Sequence, residues 1–508
     1  MVTRSDDPQA PAGRDERHPP TLDQSNPDVT NRSDARWIAL IFVSLAQLMV
    51  ALDATVINIA LPSAQQSLHI TDPQRQWVVT AYTLAFGSLL LLGGRLADVL
   101  GRKTTFLAGL IGFAAASAAG GAAGSFLILV TARALQGAFA ALLAPTVLSL
   151  LALTFTEPKD RAKAFAVFGA IAGSGAAAGL LLGGLLTQYA SWRWCLFVNV
   201  PIAVVTLIGG LVYLPRVPRR KQGRIDLPGV VTVTGGLVML VYGFSRAASS
   251  GWTSTAVLVP LAGGIALLGL FVAIESRANG PLLPLPIILD RNRGGSYLTV
   301  ALTVIGMYGV FLFLSYYFQV VLGYSPARAG VAFLPLSGAV LVGSTVIARK
   351  LLPHLPPRLL IVPGLLIAAV GMAILSGVDV HGSYPSHVLP GELLLGLGMG
   401  CLFVPAMSTA TSGVGPRDAG VASATANTAQ QIGASLGVAL LNTLAANATS
   451  AYLESHHGQR YAHVEALVHG YAVATLWASG ILVAAAVLAA ILINAGKPED
   501  RWEAIDNG

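Results

Sequence analysis

The chain has 508 residues, of which 54% are hydrophobic and only 11% are charged. Soluble proteins carry about 25% charged residues, so the composition excludes an ordinary soluble enzyme and indicates a polytopic membrane protein. The net charge of +7 lies in short segments between apolar runs, which favours lipid head groups over nucleic acid as the contact of the basic residues. Cys195 and Cys401 lie in apolar runs without disulfide or zinc spacing, so no metal site is expected.

Residues 1–36 are polar, proline-rich and mixed in charge, which predicts a disordered tail without a cleavable signal peptide. Fourteen apolar runs follow, each long enough to cross a bilayer as a helix, and none shows the alternation of a membrane barrel. These runs lie at residues 37–61, 76–97, 105–123, 126–150, 164–188, 195–214, 227–245, 254–274, 295–320, 329–348, 359–378, 389–410, 419–445 and 468–494.

The distribution of basic residues predicts the orientation of the chain. With the N-terminus inside and alternating spans, only Arg75, Arg193, Arg246, Arg328 and Arg460 fall outside. Apart from one arginine within a span, every other Lys and Arg falls inside, as the positive-inside rule requires. We therefore expect a multi-pass protein of a bacterial inner membrane with both termini in the cytoplasm.

A basic linker divides the spans into six and eight, and we expect an all-α polytopic membrane protein. The external loops are short, the longest being residues 446–467, and leave no room for a soluble catalytic domain. The predicted order is a tail at 1–36, a six-helix bundle at 37–214, a cytoplasmic linker at 215–226, two inserted helices at 227–274, a cytoplasmic linker at 275–294, a second six-helix bundle at 295–495 and a tail at 496–508.

An acid in the first span, Asp53, is the most informative residue. A carboxylate at the centre of a span costs at least about 2.5–3.5 kcal/mol, so it marks a functional site and requires a partner. The helical rise places both Asp53 and Arg133, in the fourth span, about 10 Å from the outer ends of their spans. Burial and a neighbouring cation act oppositely on the proton affinity of a carboxyl group. A movement that separates the pair would therefore couple to proton binding; the alternative is a static ion pair between two helices.

The loop between spans two and three carries a dense motif of glycine, acidic and basic residues. Gly94 and Gly101 bracket Asp98, and Gly101 allows a tight turn. Asp98 is expected to face a helix N-terminus or a basic side chain. Arg102 and Lys103 are expected to anchor the loop at the inner face, beyond the role of an ordinary basic loop.

Other polar and small residues form weaker candidates. Gln136 lies one turn after the arginine of the fourth span and shares its face; with Asn58 it is a candidate for lining a cavity. Small residues at four-residue spacing let helices approach closely. The fifth span carries such glycines, and we expect them to pack helices or let them slide: Gly175, Gly179, Gly183 and Gly184.

The second half contains candidates with two interpretations each. Glu392, about one turn into the twelfth span, is either a second protonation site or an acid that reaches the outer interface. Asn427 and Gln431 share a helix face and either join helices by hydrogen bonds or line a cavity. Tyr308 and Phe311 are candidates for contact with an apolar ligand.

Together these motifs resemble the major facilitator superfamily, and specifically its fourteen-span drug:proton antiporter branch of the EmrB/QacA type. In the family the arginine of the fourth-span motif, here Arg133, is linked to proton transfer. One departure is Leu180, where the family's span-five motif usually has proline. The resemblance covers roughly residues 36–495, and its segments are LDATVINIALP, GRLADVLGRK, RALQG, SWRWCLFVNVP, ARAGVAFLP and GVASATANTAQQIGASLG.

The resemblance implies two pseudo-symmetric bundles that rock about a central cavity. It implies a secondary active transporter that exports amphipathic drug-like or antibiotic molecules in exchange for protons. No ATP-binding loop is evident, so a proton gradient and no cofactor is expected. The expected partners are a small-molecule substrate, protons and membrane lipids, with no nucleic acid and a monomeric chain.

Two alternatives remain at this point. The first is a facilitator or importer of a metabolite with the same fold, which the departure at Leu180 leaves open. The second is a polytopic membrane enzyme, for which the external loops offer only scattered residues such as Asp379, His381 and His387. We expect no catalytic residues and no enzymatic activity.

Overall fold

A computed structural model describes residues 27–155, 157–214, 226–278, 282–283, 285–414, 419–456 and 462–496. These residues form fourteen helices long and apolar enough to cross a membrane, which confirms the predicted number of spans. The helices are α1 Pro27–Leu68, α2 Asp72–Leu100, α3 Arg102–Gly121, α4 Phe126–Thr154, α5 Pro158–Tyr189, α6 Trp194–Tyr213, α7 Leu227–Ser250, α8 Thr255–Glu275, α9 Arg291–Val321, α10 Pro326–Leu351, α11 Arg358–Leu375, α12 Tyr384–Thr411, α13 Ala419–Ser455 and α14 Ala462–Leu492.

Some predicted boundaries are wrong because helices continue into polar sequence. α1 begins at Pro27, so residues 27–36 of the predicted tail are helical, and it continues past Pro62 to Leu68. A proline removes only one backbone hydrogen bond, and packing of the surrounding turns compensates for its loss. The predicted external loop at 446–467 is mostly helical, because α13 extends to Ser455 and α14 begins at Ala462.

Several predicted connecting segments cannot be compared with the structure. Residues 1–26, the linker residues 215–225 and the tail residues 497–508 lie outside the described residues. The predicted linker at 275–294 contains a short helix, Leu285–Leu289, and the first turn of α9.

Helix contacts reveal two bundles with equivalent packing. In the first bundle α2 packs on α4, α4 on α3, α1 on α5, and α6 on both α1 and α3. In the second bundle the corresponding pairs pack in the same way: α10 on α12, α12 on α11, α9 on α13, and α14 on both α9 and α11. Below, the end at which α1 ends and α2 begins is called the outer end, and the opposite end is called the inner end.

The two additional helices, α7 and α8, form a hairpin that packs on α2 of the first bundle and α13 of the second. Gln76 Nε2 of α2 donates to Ser245 Oγ at 2.5 Å, and Thr443 Oγ1 of α13 donates to Phe244 O at 2.9 Å. Apolar contacts continue along the same faces, with Leu91 of α2 near the inner end. The hairpin therefore covers the line along which α2 meets α13.

Candidate functional site

An ion pair between Asp53 of α1 and Arg133 of α4 lies inside the first bundle. Arg133 Nη1 is 2.6 Å from Asp53 Oδ2. Both residues are 0% exposed. The sequence predicts that these two charges lie at similar depth. In the structure they are in direct contact and are buried from solvent.

Three neutral side chains complete this arrangement. Gln136 Nε2 donates to Asp53 Oδ1 at 2.9 Å, and Asn199 Nδ2 donates to the same oxygen at 2.8 Å. Ser117 Oγ of α3 accepts from Gln136 Nε2 at 2.6 Å and from Asn199 Nδ2 at 3.3 Å. All three residues are fully buried. We call the five side chains, contributed by four helices, the polar centre: Asp53, Ser117, Arg133, Gln136 and Asn199.

Arg133 also ties the polar centre to α2. Its Nε donates to Val78 O at 3.1 Å, and its guanidinium carbon lies 4.4 Å from the ring centroid of Tyr82. The neighbouring Gly137 makes this approach possible, since a Cβ there would lie 2.2 Å from Tyr82 O. The glycine of the RALQG motif therefore brings the acceptor on α2 within reach of the arginine.

Gly137→Ala is expected to lower the free energy of unfolding by about 1–3 kcal/mol, because the added methyl group forces α2 and α4 apart. Thermal unfolding of the purified protein in detergent measures the effect. The matched control is Gly124→Ala, in the connection between α3 and α4, where an added Cβ meets nothing within 4 Å. Equal melting temperatures for both variants would contradict the close α2–α4 contact.

The donors around Asp53 form the arrangement expected of an ionised carboxylate. Its two oxygens accept from Arg133, Gln136 and Asn199, and arginine stays charged in proteins. Breaking a buried ion pair on one side leaves an uncompensated charge, which is strongly unfavourable. A proton that binds to Asp53 would neutralise the carboxylate and leave the positive charge of Arg133 buried without its counter-ion. Proton binding at Asp53 therefore requires that the surroundings of Arg133 change.

Asn199 and Ser117 are site residues that sequence reasoning missed. Asn199 begins the main part of α6, directly after an interruption of the helix at Val198. Its Oδ1 is buried and has no hydrogen-bond partner among the described residues. The only sequence signal for either residue is a neutral polar side chain in an apolar run, which is common in membrane helices.

A family model of the Major Facilitator Superfamily matches residues 43–438. The chain belongs to this superfamily. It is 52% identical to the puromycin resistance protein of Streptomyces alboniger over 93% of each chain. It is 39% identical to the cephamycin export protein of Amycolatopsis lactamdurans, over 88% of this chain and 93% of that protein. The family resemblance predicted from the motifs is confirmed.

Solved structures agree on the fold. A bacterial homologue of the human lysosomal transporter Spinster, in an inward-facing and unoccupied conformation, superposes with a TM-score of 0.64. The match covers 90% of this chain and 97% of that chain at 17% sequence identity, so it supports the fold alone. The predicted all-α major facilitator fold is confirmed, and the chain is a multi-pass membrane transporter.

Three glycines attach α5 of this transporter to α1. A Cβ at Gly175, Gly179 or Gly183 would lie between 2.0 and 2.8 Å from atoms of α1. These glycines therefore let α5 approach α1, which carries Asp53, more closely than larger residues would allow. The departure at Leu180 does not interrupt α5, which runs continuously from Pro158 to Tyr189.

At the outer end, α5 meets α10 of the second bundle. A Cβ at Gly184 would lie 2.5 Å from Pro326 O, and a Cβ at Gly330 would lie 2.6 Å from Leu180 O. Larger residues at either glycine would prevent this contact. We call the contacts between the bundles at this end the outer gate; α5 and α10 form its first part.

Side chains from α9 and α2 form the rest of the outer gate. Ser315 Oγ donates to Asn58 O at 2.8 Å, and the guanidinium of Arg75 lies 4.1 Å from the ring centroid of Tyr316. Gln319 Nε2 donates to a backbone oxygen of α1 at 3.1 Å. The expectation that Arg75 lies in an external loop is wrong: it lies in α2 and is 5% exposed, because these contacts enclose it.

The bundles separate along α5 and α10 toward the inner end. An added Cβ at Gly169 of α5 or Gly338 of α10 would meet nothing within 4 Å. The π-helical segment Val342–Ala348 of α10 packs on α12, and Val342 and Val346 are each 47% exposed. Among the described residues, α5 and α10 are therefore in contact at the outer end and apart toward the inner end.

Most contacts expected for the motif between α2 and α3 are present in the structure. Arg102 Nη2 lies 3.7 Å from Asp98 Oδ1, and Gly101 adopts a φ of 95°, which favours glycine. Lys103 Nζ donates to two carbonyl oxygens at the C-terminal end of α6, at 2.8 and 2.7 Å. Gly94 packs on α4. The partner of Asp98 thus lies within the motif, and Lys103 joins α3 to α6.

The remaining cavity candidates do not surround the polar centre. Asn58 is 2% exposed, and among the described residues its Nδ2 reaches a single carbonyl, of its own helix, at 3.5 Å. Phe311 is buried against a phenylalanine of α10, with ring centroids 5.6 Å apart. Asn427 and Gln431 are half-buried on α13, which packs on α2. The side chain of Tyr308, within α9, lies outside the described residues.

Glu392 lies in the other bundle from the polar centre. It is 0% exposed, so the interpretation as an acid that reaches the outer interface is wrong. The reason is local: a π-helical turn at Tyr384–Val388 extends α12 outward and covers the carboxyl group.

Proposed function

We propose that this transporter exports amphipathic, antibiotic-like small molecules in exchange for protons, powered by the proton gradient and without a cofactor. The observation that carries the proposal is the 2.6 Å contact between Asp53 and Arg133 inside a fully enclosed polar centre. The substrate class follows from relatives that are named for puromycin resistance and cephamycin export. The proposed activity is transport and not catalysis.

The polar centre supplies a means of coupling. With the inner end open, Asp53 pairs with Arg133 and holds no proton. We infer that opening of the outer end moves α1 with α5, disturbs the pair and lets Asp53 bind a proton from outside. Substrate and proton then favour opposite conformations, and only such differential binding can drive a cycle.

The inner end is inferred to face the cytoplasm, because the basic residues concentrate there. This orientation places both termini in the cytoplasm of a bacterial cell and opens the transporter toward its substrate. One chain supplies both bundles, so we propose a monomer as the working unit, surrounded by membrane lipids.

Proton movement in inside-out vesicles tests the proposal. Antibiotics added to energised vesicles that contain the wild type are expected to release part of the imposed pH gradient. Asp53→Asn is expected to abolish this release and uphill transport, because the amide cannot exchange a proton. Glu454→Gln, at an exposed position near the end of α13, is the matched control and is expected to behave as the wild type.

Two results would reject the proposal in different ways. Proton-driven uphill transport by Asp53→Asn would remove Asp53 from the coupling path. Substrate equilibration without any proton movement in the wild type would identify a facilitator and leave the Asp53–Arg133 pair a structural role.

A further inference from the structure

A second buried acid has an incomplete set of partners. Glu392 Oε2 lies 3.0 Å from the hydroxyl oxygen of Tyr384. Glu392 Oε1 is buried without a hydrogen-bond partner among the described residues, and within the same residues no ion pair involves this carboxyl group. Among the described residues, no set of donors like that around Asp53 surrounds Glu392.

The hydrogen atoms at Tyr384 indicate the protonation state of Glu392. The hydroxyl group of Tyr384 has one hydrogen but two oxygen neighbours, Ala332 O of α10 at 2.8 Å and Glu392 Oε2 at 3.0 Å. A backbone carbonyl only accepts, and so does an ionised carboxylate. If Glu392 were ionised, one of these short contacts would join two acceptors with no hydrogen between them.

A proton on Glu392 removes this conflict. The acid then donates from Oε2 to the hydroxyl oxygen of Tyr384, and the hydroxyl donates to Ala332 O. Both contacts become hydrogen bonds, and no bare carboxylate remains in an enclosed site, where it would be costly.

We propose that Glu392 is a second proton-binding site, which holds a proton while the outer gate is closed and releases it to the outside when that gate opens. The gating part of this inference rests on the alternating access proposed above. The proton on Glu392, inferred from the two contacts of the Tyr384 hydroxyl group, does not depend on Asp53.

Neighbouring charged groups do not supply another partner. α9, α10, α11 and α13 pack on α12, as does its own first turn. Tyr317 donates to Asp379 O at 2.8 Å, Arg328 stacks on a tyrosine ring at 3.9 Å, and His387 lies 4.0 Å from Asp379. The titratable and charged groups toward this end of the packed elements, apart from Tyr384, are Tyr316, Tyr317, Tyr324, Arg328, Asp379, His381, His387, Tyr452 and Glu454.

The acceptor of the tyrosine hydrogen links Glu392 to the outer gate. Ala332 ends the segment Pro326–Ala332 of α10, and this segment packs on α5. When the gate opens, the segment leaves α5 and also shifts on α12, which breaks the bond from Tyr384 and admits water to Glu392. Glu392 then holds its proton only while the gate is closed, so its titration makes a lower external pH favour closure, whereas the proton proposed to bind Asp53 in the open state acts in the opposite direction.

Distance measurements between spin labels test this linkage on the full chain. The labels are placed at Tyr189 of α5 and Val331 of α10, which are 75% and 54% exposed, in protein whose buried cysteines are replaced by Ala. The measurement uses Asp53→Asn, which removes the opposing proton; there the closed-to-open ratio is expected to fall as pH rises, by at most about tenfold per pH unit for one linked proton. The double variant Asp53→Asn with Glu392→Gln is expected to stay closed at every pH, because the amide at position 392 donates to Tyr384 as the acid does.

Infrared spectroscopy gives an independent readout of the proton. The closed wild type is expected to show the carbonyl band of a protonated, buried carboxylic acid, and Glu392→Gln is expected to lack it. Asp53→Asn is expected to keep this band while it loses coupled efflux. Uphill export by Asp53→Asn would therefore contradict the coupling proposed at Asp53, whereas a missing carbonyl band would contradict the proton at Glu392.

A wild type without that band, or a double variant Asp53→Asn with Glu392→Gln that keeps the pH response of Asp53→Asn, would overturn the proposal. Asp379→Asn and His387→Gln, each added to Asp53→Asn, are expected to keep the pH response, because neither side chain contacts Glu392. If either addition removed the response while Glu392→Gln left it unchanged, the titrating group would lie in the exposed loop, and the proposal would equally be overturned.

Discussion

Arg133→Leu is expected to lower the free energy of unfolding by about 3–5 kcal/mol, because it leaves the Asp53 carboxylate buried without its counter-ion. Replacing both partners, as Asp53→Asn with Arg133→Leu, is expected to restore most of the stability, since no charge then remains buried. The double variant is still expected to lack proton-driven transport. Thermal unfolding in detergent and efflux from vesicles measure the two quantities on the same preparations.

This comparison separates folding from coupling at one site. Arg349→Leu, at an exposed position of α10 near the inner end, is the control and is expected to change stability by no more than about 0.5 kcal/mol. A double variant that recovers uphill transport would mean that the pair serves folding alone. A single variant as stable as the wild type would mean that Asp53 finds another partner.

Gly330→Leu is expected to hold the outer end open and stop the transport cycle. A Cβ at this position already lies 2.6 Å from Leu180 O, so a full side chain cannot fit between α5 and α10. Overpacking of about 1–3 kcal/mol in the closed state shifts the closed-to-open ratio by about 5–150-fold. A cysteine introduced at Leu180, 1% exposed in the closed structure, is then expected to react with a membrane-impermeant thiol reagent added outside.

The control for this experiment lies on the last helix. At Gly480 of α14 an added Cβ meets nothing within 4 Å, so Gly480→Leu is expected to transport normally and to protect the introduced cysteine. Wild-type transport by Gly330→Leu would exclude the α5–α10 contact from the cycle.

The pairing of Asp53 with Arg133 could be predicted because helix geometry converts sequence position into depth. Charges within apolar spans are rare, so two opposite charges at one depth have few other partners. The same reasoning could not find Asn199 or Ser117. Neutral polar residues are tolerated throughout membrane helices, and only the packing of α3 and α6 on their neighbours selects these two.

The surroundings of Glu392 could not be predicted for a different reason. Distance from the predicted end of a span gives depth only if the span ends there. The turn at Tyr384–Val388 lengthens α12 outward, and the segment also delivers the tyrosine that contacts the acid. Polar residues in such a turn carry no signal of where the chain folds back, so tertiary contacts decide the outcome.

The α7–α8 hairpin makes the two lateral seams of the transporter unequal. Pseudo-symmetry relates the seam between α2 and α13 to the seam between α5 and α10, but within the described part of the chain the hairpin covers the first seam and not the second. Among the described residues, the seam between α5 and α10 has no such cover and parts toward the inner end. The extra membrane helices contribute nothing to the polar centre, yet they seal one lateral face of the transporter and leave the other facing the bilayer.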